Sequence, residues 1–121
     1  MPTAGLLRLV TVGVDGLRYE RWLLIRLGDG TRFGIEICED VWAPDPPGVA
    51  LARAGADVVV NLSASNEVLG KADWRRTLVR AQSGRTVSAY VYVSCGPTES
   101  PADVVFGADA FIAESGSVIA E

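Results

Sequence analysis

Cys38 is followed at once by Glu39 and Asp40, and it ends the run Phe33-Gly34-Ile35-Glu36-Ile37. A thiol where a strand must turn is a common position for a nucleophile in an α/β protein. A lone cysteine in that place is more often a small buried hydrophobe than a nucleophile, so the neighbours have to decide between the two. Ser65 stands in a small polar loop, Ser63-Ala64-Ser65-Asn66-Glu67. Lys71 follows; it is the single lysine against ten arginines, so lysine-dependent chemistry has one candidate. Each group has a bland reading. Glu39 and Asp40 can be solvated loop acids, Ser65 a turn serine or helix cap, and Lys71 a surface lysine at a helix start. Glu36 shares a strand face with Cys38 and reads as a buried glutamate paired with an arginine rather than as a base. Cys95 reads as a core thiol.

The elements that must position these groups are legible in outline. Tyr19 to Leu27 and Thr31 to Cys38 read as two strands joined at Gly28-Asp29-Gly30. Val14-Asp15-Gly16-Leu17 carries another turn signal, while Met1 to Val12 is apolar without clear period. The prolines Pro44, Pro46 and Pro47 exclude regular structure after Cys38. Asp45 can then cap a helix that has Pro46 or Pro47 in its first turn and runs to about Ala54, with Gly55 at the position after its end. Asp57 to Leu62, with three valines, reads as a buried parallel strand. Cys38 and Ser65 thus fall at the same end of a sheet, on adjacent or nearby strands. Lys71 to about Val87 reads as a helix with Trp74, Leu78 and Ala81 on its buried stripe and Arg75, Arg76, Arg80 and Arg85 on a solvated face. Ala89 to Ser94 is a third core strand. Val104 to Phe106, Ala110 to Ile112 and Val118 to Ala120 read as short strands. The expected class is α/β, a mixed sheet with two main helices over one face and little to cover the other.

With 121 residues the chain supports one modest core. Apolar residues make up 49%, which suggests strands buried on both faces or a surface covered by further sequence or a partner. The net charge of −4 argues against a nucleic-acid partner. No apolar run is long enough to span a membrane, and no clear signal peptide is seen, so cytoplasm is the expected location. Two cysteines make no disulfide framework. The absence of histidine excludes His-dependent triads and His-based metal sites within this chain.

The segment Gly34 to Trp42, together with Asn61-Leu62-Ser63-Ala64-Ser65-Asn66-Glu67, Gly70-Lys71, Arg75-Arg76, Gln82-Ser83, Ala89 to Tyr92, Glu99-Ser100 and Val105-Phe106-Gly107, resembles the glutaminase domains of glutamine-dependent NAD+ synthetases, a branch of the nitrilase (carbon-nitrogen hydrolase) superfamily. The resemblance covers about residues 33 to 121; residues 1–32 match poorly. It implies a nitrilase-like α-β-β-α sandwich and a Glu-Lys-Cys triad. Cys38 takes the nucleophile position, and the backbone amide of Glu39 would form half of an oxyanion hole. Ser65 and Lys71 match positions that bind L-glutamine, and a cation at Lys71 suits an amino-acid carboxylate. The family's general-base glutamate and its catalytic lysine lie before the nucleophile, and neither is found here. No Ser-Gly-Gly-type ATP loop is present either, so ATP and Mg belong to the synthetase domain of the parent protein. The chain therefore reads as a partial glutaminase domain over 1–121, with no cofactor or metal of its own. Its expected partners are glutamine, the synthetase domain and, by the resemblance, further copies in a homo-oligomer. The alternatives are a degenerate, non-catalytic nitrilase-like interaction module or another carbon-nitrogen hydrolase such as an amidase.

Overall fold

The computed structural model describes residues 5–14 and 17–121 in backbone, and side chains from residue 23 onward. Strands β1 (Gly5–Val14) and β2 (Leu17–Arg26) pair antiparallel. The unpatterned start of the sequence is thus mostly strand; the expected Asp15-Gly16 turn lies outside the described residues. Strand β3 (Arg32–Ile37) returns beside β2 after the turn at Gly28 to Gly30. A short 3-10 helix (Cys38–Trp42) and helix α1 (Pro47–Arg53) lead to β4 (Val58–Ser63), which lies parallel to β3. Helix α2 (Lys71–Thr86) leads to β5 (Ala89–Ser94), parallel to β4. Strands β6 (Ala110–Glu114) and β7 (Ser117–Ala120) complete a seven-stranded mixed sheet ordered as in the sequence.

Three local expectations need correction. Residues 38–42 are helical, because the prolines that forbid regular structure begin only at Pro44. Pro46, not Asp45, occupies the cap of α1; Pro47 lacks an N–H and holds Pro46 extended, which leaves Asp45 exposed and outside the first turn. Val104 to Phe106 forms no strand. Phe106 makes a single bridge to Asn66, inside a loop punctuated by Pro97, Pro101 and Gly107.

Alternation sorts each strand into two faces. Gly34 and Glu36, Val59 and Asn61, Tyr90 and Tyr92, and Phe111 and Ala113 are buried beneath the helices. Gly34 is required there, since a Cβ would meet the Leu51 methyls of α1 at 2.7 Å. The opposite face is apolar and open, as the composition suggests: Ile37, Leu62 and Val93 are 57%, 49% and 43% exposed. The interior under the helices is mixed: an apolar core of Leu51, Val59, Val79, Phe111 and Ala113 surrounds buried polar groups. Helix α2 buries Arg75, Val79, Gln82 and Ser83, while Trp74 is 55% exposed. Of the stripe expected from Trp74, Leu78 and Ala81, Leu78 packs against the core, while Trp74 and Ala81 are exposed. Polar groups on the sheet face select polar groups on the helix, and Arg75 finds its partners there.

Candidate active site

Strand β3 ends at Ile37, whose N–H donates to Asp40 Oδ2 at 2.8 Å, so Asp40 is a turn-closing group and not a free loop acid. The chain then turns sharply: Cys38 has φ +48°, a left-handed conformation uncommon for a residue with a Cβ. Strand β4 ends one register position away, and its loop carries Ser65. The ends of these two parallel strands, with the start of α2, frame a cleft of about 480 Å³ lined by Cys38, Glu39, Trp42, Ser65, Asn66 and Lys71, with Ala43 and Ala64 between them. All four residues singled out in the sequence thus meet in one place.

Lys71 begins α2. Its ammonium donates to Asn66 Oδ1 and lies 5.4 Å from the centre of the Trp42 ring, a cation–π contact. Ser65 is buried and caps no helix. Its hydroxyl oxygen accepts from Arg75 Nη2 at 3.4 Å, and its N–H donates to Ser94 Oγ at 3.3 Å. Arg75 is wholly buried. It forks between Glu67 at 2.9 Å and Asp109 at 2.8 Å, and stacks on the Tyr92 ring. One guanidinium thus ties the loop after β4 to the segment before β6 and fixes where Ser65 sits. Hydrogen bonding to these carboxylates holds the Arg75 guanidinium above its usual range, against the opposing effect of burial.

Behind Cys38 lies a second polar group. Glu36 is fully buried and, among the described residues, has no arginine partner, contrary to expectation. Its carboxylate accepts from the Gly48 N–H and from the Tyr90 hydroxyl. Asn61 Nδ2 donates to Tyr90 Oη and to the Cys38 carbonyl, each at 3.3 Å. Burial pushes the Glu36 carboxyl up, with the Tyr90 and Gly48 hydrogen bonds opposing it. Burial and the adjacent carboxylate push the Tyr90 phenol up, so Tyr90 remains the proton donor of this pair. Both Glu36 oxygens are committed and face away from the cleft, which leaves Glu39 as the one carboxylate among the cleft-lining residues. Cys95 is half-buried at the end of β5 and lies outside that lining. Sequence reading missed Trp42, Asn61, Asn66 and Tyr90. The signal for Asn61 was a carboxamide amid valines, on the face shared with Glu36 and Tyr90.

No protein-family model matches the chain. Glutamine-dependent NAD(+) synthetase of Mycobacterium tuberculosis is 44% identical to it over 87 residues, which are 72% of this chain and 13% of that protein. The Mycobacterium leprae protein of the same name is 40% identical over 115 residues, 92% of this chain and 17% of its own length. The chain is homologous to one segment of the glutamine-dependent NAD+ synthetases. The solved synthetase structures agree. That from Cytophaga hutchinsonii superposes with a TM-score of 0.68 at 28% identity, covering 98% of this chain and 17% of that one. That from Acinetobacter baumannii gives 0.73 at 23% identity over 92% of this chain and 22% of that one. A nitrilase-superfamily amidase from Nesterenkonia matches with a TM-score of 0.71 at 18% identity, which shows the nitrilase fold. This synthetase-like segment therefore has the expected α/β class and nitrilase fold, and relatives bearing the synthetase name do not favour the alternatives of an interaction module or another amidase. The segment spans about a sixth or less of the curated synthetases.

Proposed function

We propose that this chain is the part of a synthetase glutaminase domain that carries the nucleophile and one side of the glutamine pocket. The observation that carries the reading is the single cleft holding Cys38, Ser65 and Lys71 at the ends of adjacent parallel strands, in a chain homologous to these enzymes. Glutamine enters with its α-carboxylate at the Lys71 ammonium and its main body along Trp42 and Ser65. The Cys38 thiolate attacks the side-chain amide carbon. Negative charge gathers on the carbonyl oxygen, where the Glu39 N–H donates to it. Collapse of the tetrahedral species breaks the C–N bond and releases ammonia, and water then cleaves the thioester to give glutamate and restore the thiol. Ammonia passes to a synthetase domain of the parent protein, which amidates deamido-NAD+.

Among the described residues no three His, Cys, Asp or Glu side chains are grouped to hold a metal ion. Neither the general-base glutamate nor the second lysine that such a domain uses is supplied by the lining of this cleft. The chain by itself is thus expected to show negligible glutaminase turnover while still presenting its nucleophile. A glutamine-shaped chloromethyl ketone tests this by mass spectrometry. It should alkylate Cys38 and spare Cys95, with protection by L-glutamine and none by D-glutamine. Equal labelling of both cysteines, or no protection, overturns the assignment.

A further inference from the structure

Asn61 is fully buried in β4, flanked by Val60 and Leu62. A carboxamide in that setting is tolerated only when its polar atoms are paired. Its Oδ1 accepts from the Ser63 hydroxyl at 2.6 Å, which leaves Nδ2 to face Tyr90 Oη and the Cys38 carbonyl. Tyr90 donates onward to Glu36, which is anchored by the Gly48 N–H. Polar side chains from three strands thus form one chain of hydrogen bonds. It ends on the backbone of Cys38 and not on a side chain of the cleft.

A trans peptide is planar, and its C=O and N–H point in opposite directions. No cis peptide occurs among the described residues, so the Cys38–Glu39 unit obeys this. Holding the Cys38 oxygen against Asn61, on the buried side, turns the Glu39 N–H the other way. Glu39 is in the first turn of the 3-10 helix, where N–H groups have no partner inside the helix, and it lines the cleft. The left-handed φ of Cys38 makes this peptide one that needs such a restraint.

We propose that Asn61 is a positioning residue that locks the Cys38–Glu39 peptide with its N–H toward the cleft, with Ser63 setting the orientation of the carboxamide and the Tyr90–Glu36 pair setting its place. The proposal deepens the glutaminase reading and rests on it for the meaning of that N–H, but the lock itself can be observed without turnover. Cysteine precedes glutamate only at 38–39, so a full chain labelled with carbonyl-13C cysteine and 15N glutamate gives one amide-to-carbonyl cross-peak. In Asn61→Leu the carbonyl resonance should move upfield as its hydrogen bond is lost, and Ser63→Ala, a milder change at a half-buried site, should move it the same way by less. A cross-peak unmoved in folded Asn61→Leu overturns the proposal. The γ-aldehyde of glutamate supplies the second readout. The Cys38 sulfur adds to its carbonyl carbon, and the carbonyl oxygen takes the thiol proton or remains as an oxyanion facing Glu39. Asn61→Leu should weaken this adduct about a hundredfold, the cost of losing an oxyanion donor. Alkylation of Cys38 by iodoacetamide, which displaces iodide and builds no oxyanion, should be unchanged. If both reactions fall together, Asn61 is merely structural and the proposal fails. If the unmodified chain forms no adduct, the glutamine reading fails instead, and the carbonyl resonance alone decides the lock.

Discussion

Replacing Arg75 with methionine keeps most of the apolar stem and removes the guanidinium. The side chain is wholly inaccessible, and its partners Glu67 and Asp109 are 29% and 13% exposed. Taking away one member of a buried ion pair costs about 3–5 kcal/mol when the charge left behind stays buried. Here Glu67 can regain some water and Asp109 keeps Arg76 at 3.4 Å, so the lower end applies, about 3 kcal/mol. For a chain of this length that lowers Tm by about 10 °C. Guanidinium denaturation of Arg75→Met against the parent chain measures the loss directly. A solvated arginine face, the reading the sequence invites, predicts a change within about 0.5 kcal/mol. A loss under about 1 kcal/mol would refute the burial-and-fork argument. Arg75→Lys should recover only part of the stability, because an ammonium cannot serve both carboxylates in the geometry of a planar fork.

Three further outcomes follow from the site. Gly48→Ala places a Cβ 2.6 Å from Glu36 Oε1 and 3.1 Å from Gln82 Nε2, in a buried setting with no free volume to accept it. Urea denaturation should show a loss of about 1–3 kcal/mol, and an unchanged midpoint would contradict the packing. Glu36→Gln reports on the raised carboxyl. A folded-state value above the usual 4.5 means that Glu36 contributes stability below that pH and loses it as pH rises through the raised value. The stability of the parent chain relative to Glu36→Gln should therefore fall on going from pH 4 upward, and a rise would reverse the assigned cause. Lys71→Met removes the cleft's cation. Labelling by the glutamine-shaped ketone should slow roughly tenfold or more, the value of a charge-assisted contact, with iodoacetamide alkylation unaffected; equal rates for both variants would remove Lys71 from the pocket.

Much of the scaffold could be read because strands β3, β4 and β5 state their period plainly and are separated by helix-length segments. Those spacings place Cys38 and Ser65 at one end of a parallel sheet, which the structure shows. The reading of α2 failed for a reason visible in the strands. Glu36, Asn61 and Tyr90 fall on the same parity of three neighbouring strands, so the covered face carries polar groups among its apolar ones and takes Arg75 and Gln82 above it rather than Trp74. Judged by hydrophobicity alone, the polar positions that a helix buries over such a face are missed. The Gly48–Glu36–Tyr90–Asn61 chain was out of reach because it depends on cross-strand register, and Glu36↔Asn61↔Tyr92 pairing is not written in any one segment. The Pro46 cap was missed because two prolines compete for one helix start and only geometry decides between them.

The placement of the two thiols also fixes how the chain meets an oxidant. Cys38 leaves β3 and Cys95 leaves β5, with β4 between them. Two interstrand spacings separate those ends by about 10 Å, beyond the roughly 7 Å of Cα separation that a disulfide can bridge. Peroxide therefore cannot close an internal bond that would park Cys38 in a protected, recoverable form. It leaves a sulfenic acid, open to further oxidation or to capture by an external thiol. Recovery of Cys38 after oxidative stress therefore needs a thiol other than Cys95.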